Sequence, residues 1–198
     1  MKLSRKGEYA LRSLINLGIA AEVGRELVQV TELSEMEQLP IKFLEQIMQR
    51  LKEGGLVASV RGKFGGYRLA KPASSFTIGQ VVRLIDGPLA PIGCVSQTAY
   101  EPCTCPDEAH CGLRMLMLDV RNAIAAILDR YTLADVVEVT LRKMRRDGVP
   151  LPFSPEAEAM QPRLSARAAR QFASRSTAAV RSRPTDGVLQ QLLGDYSI

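Results

Sequence analysis

The sequence predicts a mainly α fold: a helix-turn-helix with a two-stranded wing, followed by a long apolar helix. Three observations predict it. Two short helical segments lead through a tight turn into a helix with a single apolar arc. A glycine-rich hairpin follows directly behind them. Further on, a nearly all-apolar helix emerges from a loop that holds every cysteine of the chain.

The elements follow in order. Residues 4–22 predict a helix with Ser4 as N-cap and Leu11, Leu14, Ile15, Gly18 and Ile19 on one stripe. Gly24 and Arg25 make a turn, Val28 and Val30 a short extended piece, and Thr31 caps a brief helix over 32–38. Pro40 sits in the first turn of the next helix, residues 41–53, where proline is tolerated. There Ile41, Leu44, Ile47, Met48 and Leu51 share one arc, while Lys42, Glu45, Gln46 and Gln49 point the other way. Gly54-Gly55 stops it.

The strand-like runs 56–61 and 67–70 flank Gly62-Lys63-Phe64-Gly65-Gly66, a basic hairpin, so the helix-turn-helix is winged. Thr77 and Gln80 form a capping box for a helix through Ile85, which Asp86-Gly87-Pro88 ends.

The loop 94–111 contains all four cysteines and the one histidine, His110, within eighteen residues. That density points to a metal centre. Residues 113–131 then carry apolar side chains on nearly every face, and such a helix in a small protein needs cover on more than one side. A second copy of the chain would supply it, with the two-fold symmetry that a palindromic operator calls for. Thr132 caps a last helix, which ends in the basic run Arg142-Lys143-Met144-Arg145-Arg146.

From Gly148 prolines break regular structure, and residues 161–183 hold six arginines without an acidic residue. A disordered basic tail is expected there, with weak helices at 164–173 and 187–194. The expected organisation is 1–88 winged helix, 89–112 cysteine loop, 113–147 dimerisation helices and 148–198 tail.

Composition bounds the function. With 198 residues, 46% of them apolar, the chain can bury a real core. No apolar run approaches the ~18–20 residues of a membrane span. Charges at Arg5, Lys6, Glu8 and Arg12 interrupt the N-terminal segment, so no signal peptide or membrane is expected, and the chain is placed in the cytoplasm. Cysteines in that reducing compartment are more often ligands or redox groups than disulfides. A net charge of +5 permits a polyanionic partner such as double-stranded DNA. The glycines lie in a hairpin tip, not in a phosphate loop, and no nucleophile–base pair is identifiable, so an enzyme is not expected.

Winged helix and cysteine loop together give the chain a resemblance to a known family. It resembles the Rrf-two family of winged-helix iron–sulfur regulators, the IscR, NsrR and RirA type. The matching residues are Met1-Lys2-Leu3-Ser4, Glu8-Tyr9-Ala10-Leu11, Phe43-Leu44-Glu45-Gln46-Ile47, Gly55-Leu56-Val57 and Val60-Arg61-Gly62. Gly65-Gly66-Tyr67-Arg68-Leu69, Cys111-Gly112-Leu113-Arg114 and Thr132-Leu133-Ala134-Asp135 extend the match, which covers roughly residues 1–145.

The resemblance implies a homodimeric transcriptional regulator, commonly a repressor, responsive to iron–sulfur status, iron, nitric oxide or redox stress. The family uses three cysteines, the last two about five residues apart, which selects Cys94, Cys105 and Cys111 as ligands of a 2Fe-2S or 4Fe-4S cluster. Cys103 is then an alternate ligand or a spare thiol. Arg114 stands where some relatives place a ligating histidine, and Glu8 matches a carboxylate that others recruit from the partner subunit.

On DNA, helix 41–53 is expected in the major groove, with Lys42, Gln46 and Gln49 reaching phosphates or base edges and Glu45 accepting from a cytosine amino group. Arg61 resembles the family's minor-groove arginine, and Lys63 and Arg68 add charge at the wing. Other readings are a cluster-free regulator with a zinc or thiol-switch loop, or a winged-helix module that docks a protein. Against zinc, Cys103-x-Cys105 is too tight for a knuckle turn.

Overall fold

Ser4 and Asp86 start the first helix between them. In the computed structural model, which describes residues 2–62, 64–155 and 157, α1 runs Arg5–Glu22. The Ser4 hydroxyl accepts the Gly7 N–H at 3.0 Å and donates to Asp86 Oδ1, while the Ser4 N–H donates to Asp86 Oδ2 at 2.8 Å. A carboxylate thus sits on the positive end of α1, as the helix dipole favours. Ala10, Leu14, Leu17 and Ala20 are buried, whereas Leu11 and Ile15 are half-buried. The apolar stripe is therefore wider than its large residues suggest, because α1 packs against α2, α3, α4 and β2 at once.

Helix α2 spans Val30–Glu37, starting before the expected Thr31 cap and ending one residue sooner. Glu32 accounts for the early start, since its carboxylate accepts the Gln29 N–H at 2.9 Å and binds Arg25 at 2.7 Å. Val30 accordingly joins the helix instead of extending. The turn after α2 places Gln38 in the left-handed region, φ 54°, and Ser34 Oγ donates to the Leu39 carbonyl. Helix α3, Ile41–Glu53, buries Leu44, Ile47, Met48 and Leu51. Ile41 lies on their arc yet is 42% exposed, one turn beyond the edge of the core.

Strands β1, Val57–Val60, and β2, Gly66–Leu69, pair antiparallel with Val57 opposite Leu69 and Val60 opposite Gly66. Val28 adds a third extended residue, exchanging N–H···O bonds of 3.0 and 2.8 Å with Tyr67. The approach requires glycine at Gly66, where a Cβ would stand 2.6 Å from the Val28 carbonyl oxygen. At the wing tip Gly62 has φ +119°, a conformation that only glycine adopts readily.

Helix α4, Ile78–Asp86, begins with the expected Thr77–Gln80 capping box. Helix α5, Gly112–Arg130, ends against the start of α4. There the Ile78 N–H donates to the Tyr131 carbonyl at 2.9 Å and the Leu133 N–H to Phe76 at 3.1 Å. Arg83 adds a two-pronged bond to Asp129 at 2.6 and 2.7 Å. Helix α6, Leu133–Arg146, opens with reciprocal Thr132–Asp135 bonds.

Two compact units result, one up to Val137 and one from Glu138. In the second, Arg142 pairs with Glu138, Arg146 Nε lies 2.8 Å from Asp147, and Gly148 turns the chain at φ 64°. The expected tail helices at 164–173 and 187–194, and Lys63, lie outside the described residues. Among the described residues no helix is long and apolar enough to cross a membrane.

The Arg83 bond holds the Asp129 carboxyl below the usual carboxylate range. Its contribution to stability is present above the unfolded value of about 4 and disappears as pH falls through the lowered folded value. Asp129→Asn should cost at most about 1 kcal/mol at neutral pH, both partners being partly exposed. Urea melts across the acid range should show that difference shrinking below pH ~4; a difference independent of pH would contradict the assignment.

Candidate metal centre and nucleic-acid interface

The four cysteines converge because the loop is braced at both ends. A 3-10 turn over Gly93–Val95 buries Cys94, and the Glu101 N–H donates to the Gly93 carbonyl at 3.2 Å. Ser96 Oγ accepts the Ala99 N–H at 3.0 Å. At the other end Cys111 is the N-cap of α5. Between them Glu108 is a hub: its Oε2 accepts from Tyr100 OH at 2.7 Å and contacts Cys103 Sγ at 3.7 Å, and its Oε1 lies 3.1 Å from Arg114 Nε.

Cys94, Cys103, Cys105 and Cys111 line one cavity of about 260 Å³, together with Glu101 and Arg114. Cys105 Sγ and Cys111 Sγ are 3.8 Å apart. The thiols tune one another. Cys105 is pushed up to about 12, first by its bonds to Cys103 and then to Cys111. Cys111 is lowered, chiefly by the nearby Arg114 backbone N–H, with Cys105 and the Leu113 N–H adding to this. Burial, then the neighbouring Cys103, pushes Cys94 up. The N-terminus of α5 thus favours the thiolate form more at Cys111 than at Cys94 or Cys105.

Among the described residues no group of three or more His, Cys, Asp or Glu side chains is arranged to hold a metal ion. The donor chemistry nonetheless suits a thiolate-bound inorganic group: four soft sulfurs, a guanidinium and helix N-terminal amides face one space. That space is several times the ~30 Å³ a water molecule occupies in the liquid, room for a group of several atoms.

The remaining candidates fall elsewhere. Glu8, on α1, is 3.7 Å from Arg12 in an i,i+4 pair and does not line the cavity. Arg12 also reaches the buried Glu37, Nε to Oε2 2.6 Å, and Asn16 donates to Glu37 at 2.6 Å. His110 is turned to Asp107, 2.7 Å away, with its side chain 84% exposed.

On another surface, Lys42, Glu45, Gln46 and Gln49 line one open hollow of about 800 Å³ along α3, with Tyr67 also lining it. A second hollow, about 410 Å³, lies between the start of α2 and the wing and joins Gln49 to Arg61. Arg68 lines a different recess, with Arg25 and Lys71. Sequence reasoning missed Tyr67, which faces both α3 hollows, and Lys6, Gln29 and Thr31 beside them. The alternation of β2 carried a signal for Tyr67; the other three needed the tertiary fold. In the loop, Glu108 and Tyr100 were likewise missed.

Over residues 3–139 the sequence matches the Rrf2 family, iron-dependent transcriptional regulators. It is 39% identical over 139 residues to an rrf2-like HTH-type transcriptional regulator of Rhodobacter capsulatus, covering 68% of this chain and 91% of that one. To the HTH-type transcriptional regulator IscR of Escherichia coli it is 31% identical over 137 residues, 69% of this chain and 80% of the other. Among solved structures it resembles CymR, the global cysteine regulator of B. subtilis, with a TM-score of 0.58 at 30% identity, covering 70% of this chain and 97% of CymR.

Because Glu108 ties Tyr100, Cys103 and Arg114 together, Glu108→Ala should loosen the middle of the loop. In metal-free protein, iodoacetamide should then modify Cys103 severalfold faster, with the buried Cys94 little changed. Peptide mass spectrometry reads both rates; equal Cys103 rates in the two proteins would contradict the hub.

Proposed function

The chain belongs to the Rrf2 family of winged-helix, DNA-binding transcriptional regulators, and on that premise we propose that it is a homodimeric repressor whose cysteine loop holds an iron–sulfur cluster and senses redox, iron or nitric oxide status. The observation that carries this reading is the convergence of four thiols on one cavity at the N-terminus of α5. Membership of a family of regulators also sets the chain apart from enzymes.

Cys94, Cys105 and Cys111 would hold the cluster, of 2Fe-2S or 4Fe-4S type. When bound, such a cluster supplies a redox-active centre that oxidants, iron supply and nitric oxide alter. The chain's own residues do the rest. Cys111 offers its sulfur where the α5 amides stabilise a thiolate, and Arg114 supplies positive charge beside the thiols. Since Cys111 is also the α5 N-cap, any rearrangement of the loop acts on the start of that helix.

Helix α5 would be the subunit contact. Leu113, Leu116, Val120 and Ile127 are exposed, as is Ala123, and together they follow the 3-4 spacing of a coiled-coil seam. Arg121 is buried, with Nε and Nη1 unpartnered in the single chain, so one chain leaves polar groups unsatisfied. A two-fold dimer presents two α3 helices to a palindromic operator. Lys42, Gln46 and Gln49 would meet phosphates or base edges there, Glu45 a cytosine amino group, and Arg61 the minor groove, with Lys63 and Arg68 adding charge.

Two measurements test the proposal. Protein purified without oxygen should be brown and contain iron and acid-labile sulfide in comparable amounts; protein that takes up neither, even on reconstitution, would end the sensor reading. Arg61→Ala should weaken operator binding by ~1–3 kcal/mol at fixed salt. Unchanged affinity would remove the wing from the interface.

A further inference from the structure

Cys103 is the cysteine that a three-ligand set leaves over, yet it faces the same space as the other three. Its sulfur lies 3.7 Å from Glu108 Oε2, and Cys105 Sγ lies 3.8 Å from Cys111 Sγ. All four line the same cavity. The four sulfurs therefore share one space, and removing Cys103 would leave three of them there.

The rival donors are badly placed or chemically poorer. Glu8 of the same chain is paired with Arg12 on α1 and lies outside the cavity, so it adds no donor to its own chain's sulfurs. His110 bonds Asp107 and points to solvent. Arg114 lines the cavity but is a cation without a lone pair to give. Glu101 also lines it, and its oxygen is a harder ligand than sulfur for iron–sulfur centres.

We propose that Cys103 is the fourth thiolate ligand, so that one chain supplies an all-cysteine set and no carboxylate from a partner subunit is required. The inference rests on the cysteine loop being the cluster site. As a ligand Cys103 would release its proton to solvent and give up its contact with Glu108, whose carboxylate would keep Arg114 at 3.1 Å as its partner. The two-residue spacing that argues against a zinc knuckle is then a feature of this set: Cys103 and Cys105 reach the same centre from one short turn.

The test is a cysteine footprint of intact protein purified without oxygen, using iodoacetamide and peptide mass spectrometry, with iron and sulfide measured on the same sample. Ligation withdraws the nucleophilic thiolate. All four cysteines should therefore react at least an order of magnitude more slowly than in protein stripped of iron. Cys103→Ser should shift the visible absorption and circular dichroism of the loaded protein and speed iron loss, whereas Glu8→Gln and Glu101→Gln should leave the spectrum in place. Protein that holds iron and sulfide, but whose Cys103 reacts at its metal-free rate while Cys94, Cys105 and Cys111 stay protected, overturns the inference alone. So does a Glu8→Gln or Glu101→Gln spectrum that moves while that of Cys103→Ser does not. Protein without iron, with all four cysteines equally reactive, overturns the cluster reading as well.

Discussion

Helix α5 is anchored at one end and begins in the cysteine loop at the other, and the arrangement of the molecule depends on that asymmetry. Its C-terminal end is fixed to α4 by the Ile78–Tyr131 and Phe76–Leu133 backbone bonds and by Arg83 on Asp129. Its first cap is Cys111, a member of the thiol set. Nineteen residues at 1.5 Å each make a rod of about 28 Å between the two. Whatever reorganises the sulfurs acts on one end of a stiff element whose other end is bolted to the winged helix.

The winged helix itself is held by one buried charge and two ties nearer the surface or through the backbone. Glu37 is 6% exposed, and burial, its largest influence, pushes its carboxyl up against the opposing pull of Arg12 and then Asn16. That carboxylate joins α2 to α1 from the inside. Asp86 joins the end of α4 to the start of α1, and Val28 fastens the wing to the segment before α2. These three ties leave α3 resting on the core through Leu44, Ile47, Met48 and Leu51, with its polar side turned outward beside Arg61.

Elements whose signals are local could be read from the chain. Ser4 starts α1, Thr77 and Gln80 start α4, the glycine hairpin makes the wing, and the apolar run after Cys111 is one helix. Features that depend on distant partners could not. Glu32 draws α2 back to Val30 through bonds to Gln29 and Arg25, and Gln38 turns left-handed where a glycine would be the ordinary choice. Asp86 caps a helix 82 residues away. For the candidate centre, the sequence singled out the cysteines, while the bonds of Glu108 to Tyr100 and Cys103 arise only once the loop is folded. Glu8 was named from resemblance, and within one chain it meets Arg12 instead of sulfur.

The proposed link between loop and operator can be measured on a single preparation. Operator affinity of the dimer, at one salt concentration and without oxygen, is determined with iron and sulfide bound, after their removal, and after reconstitution. The account predicts a reversible change of at least tenfold, ~1.4 kcal/mol, between the loaded and stripped forms. The same affinity in all three states would contradict it.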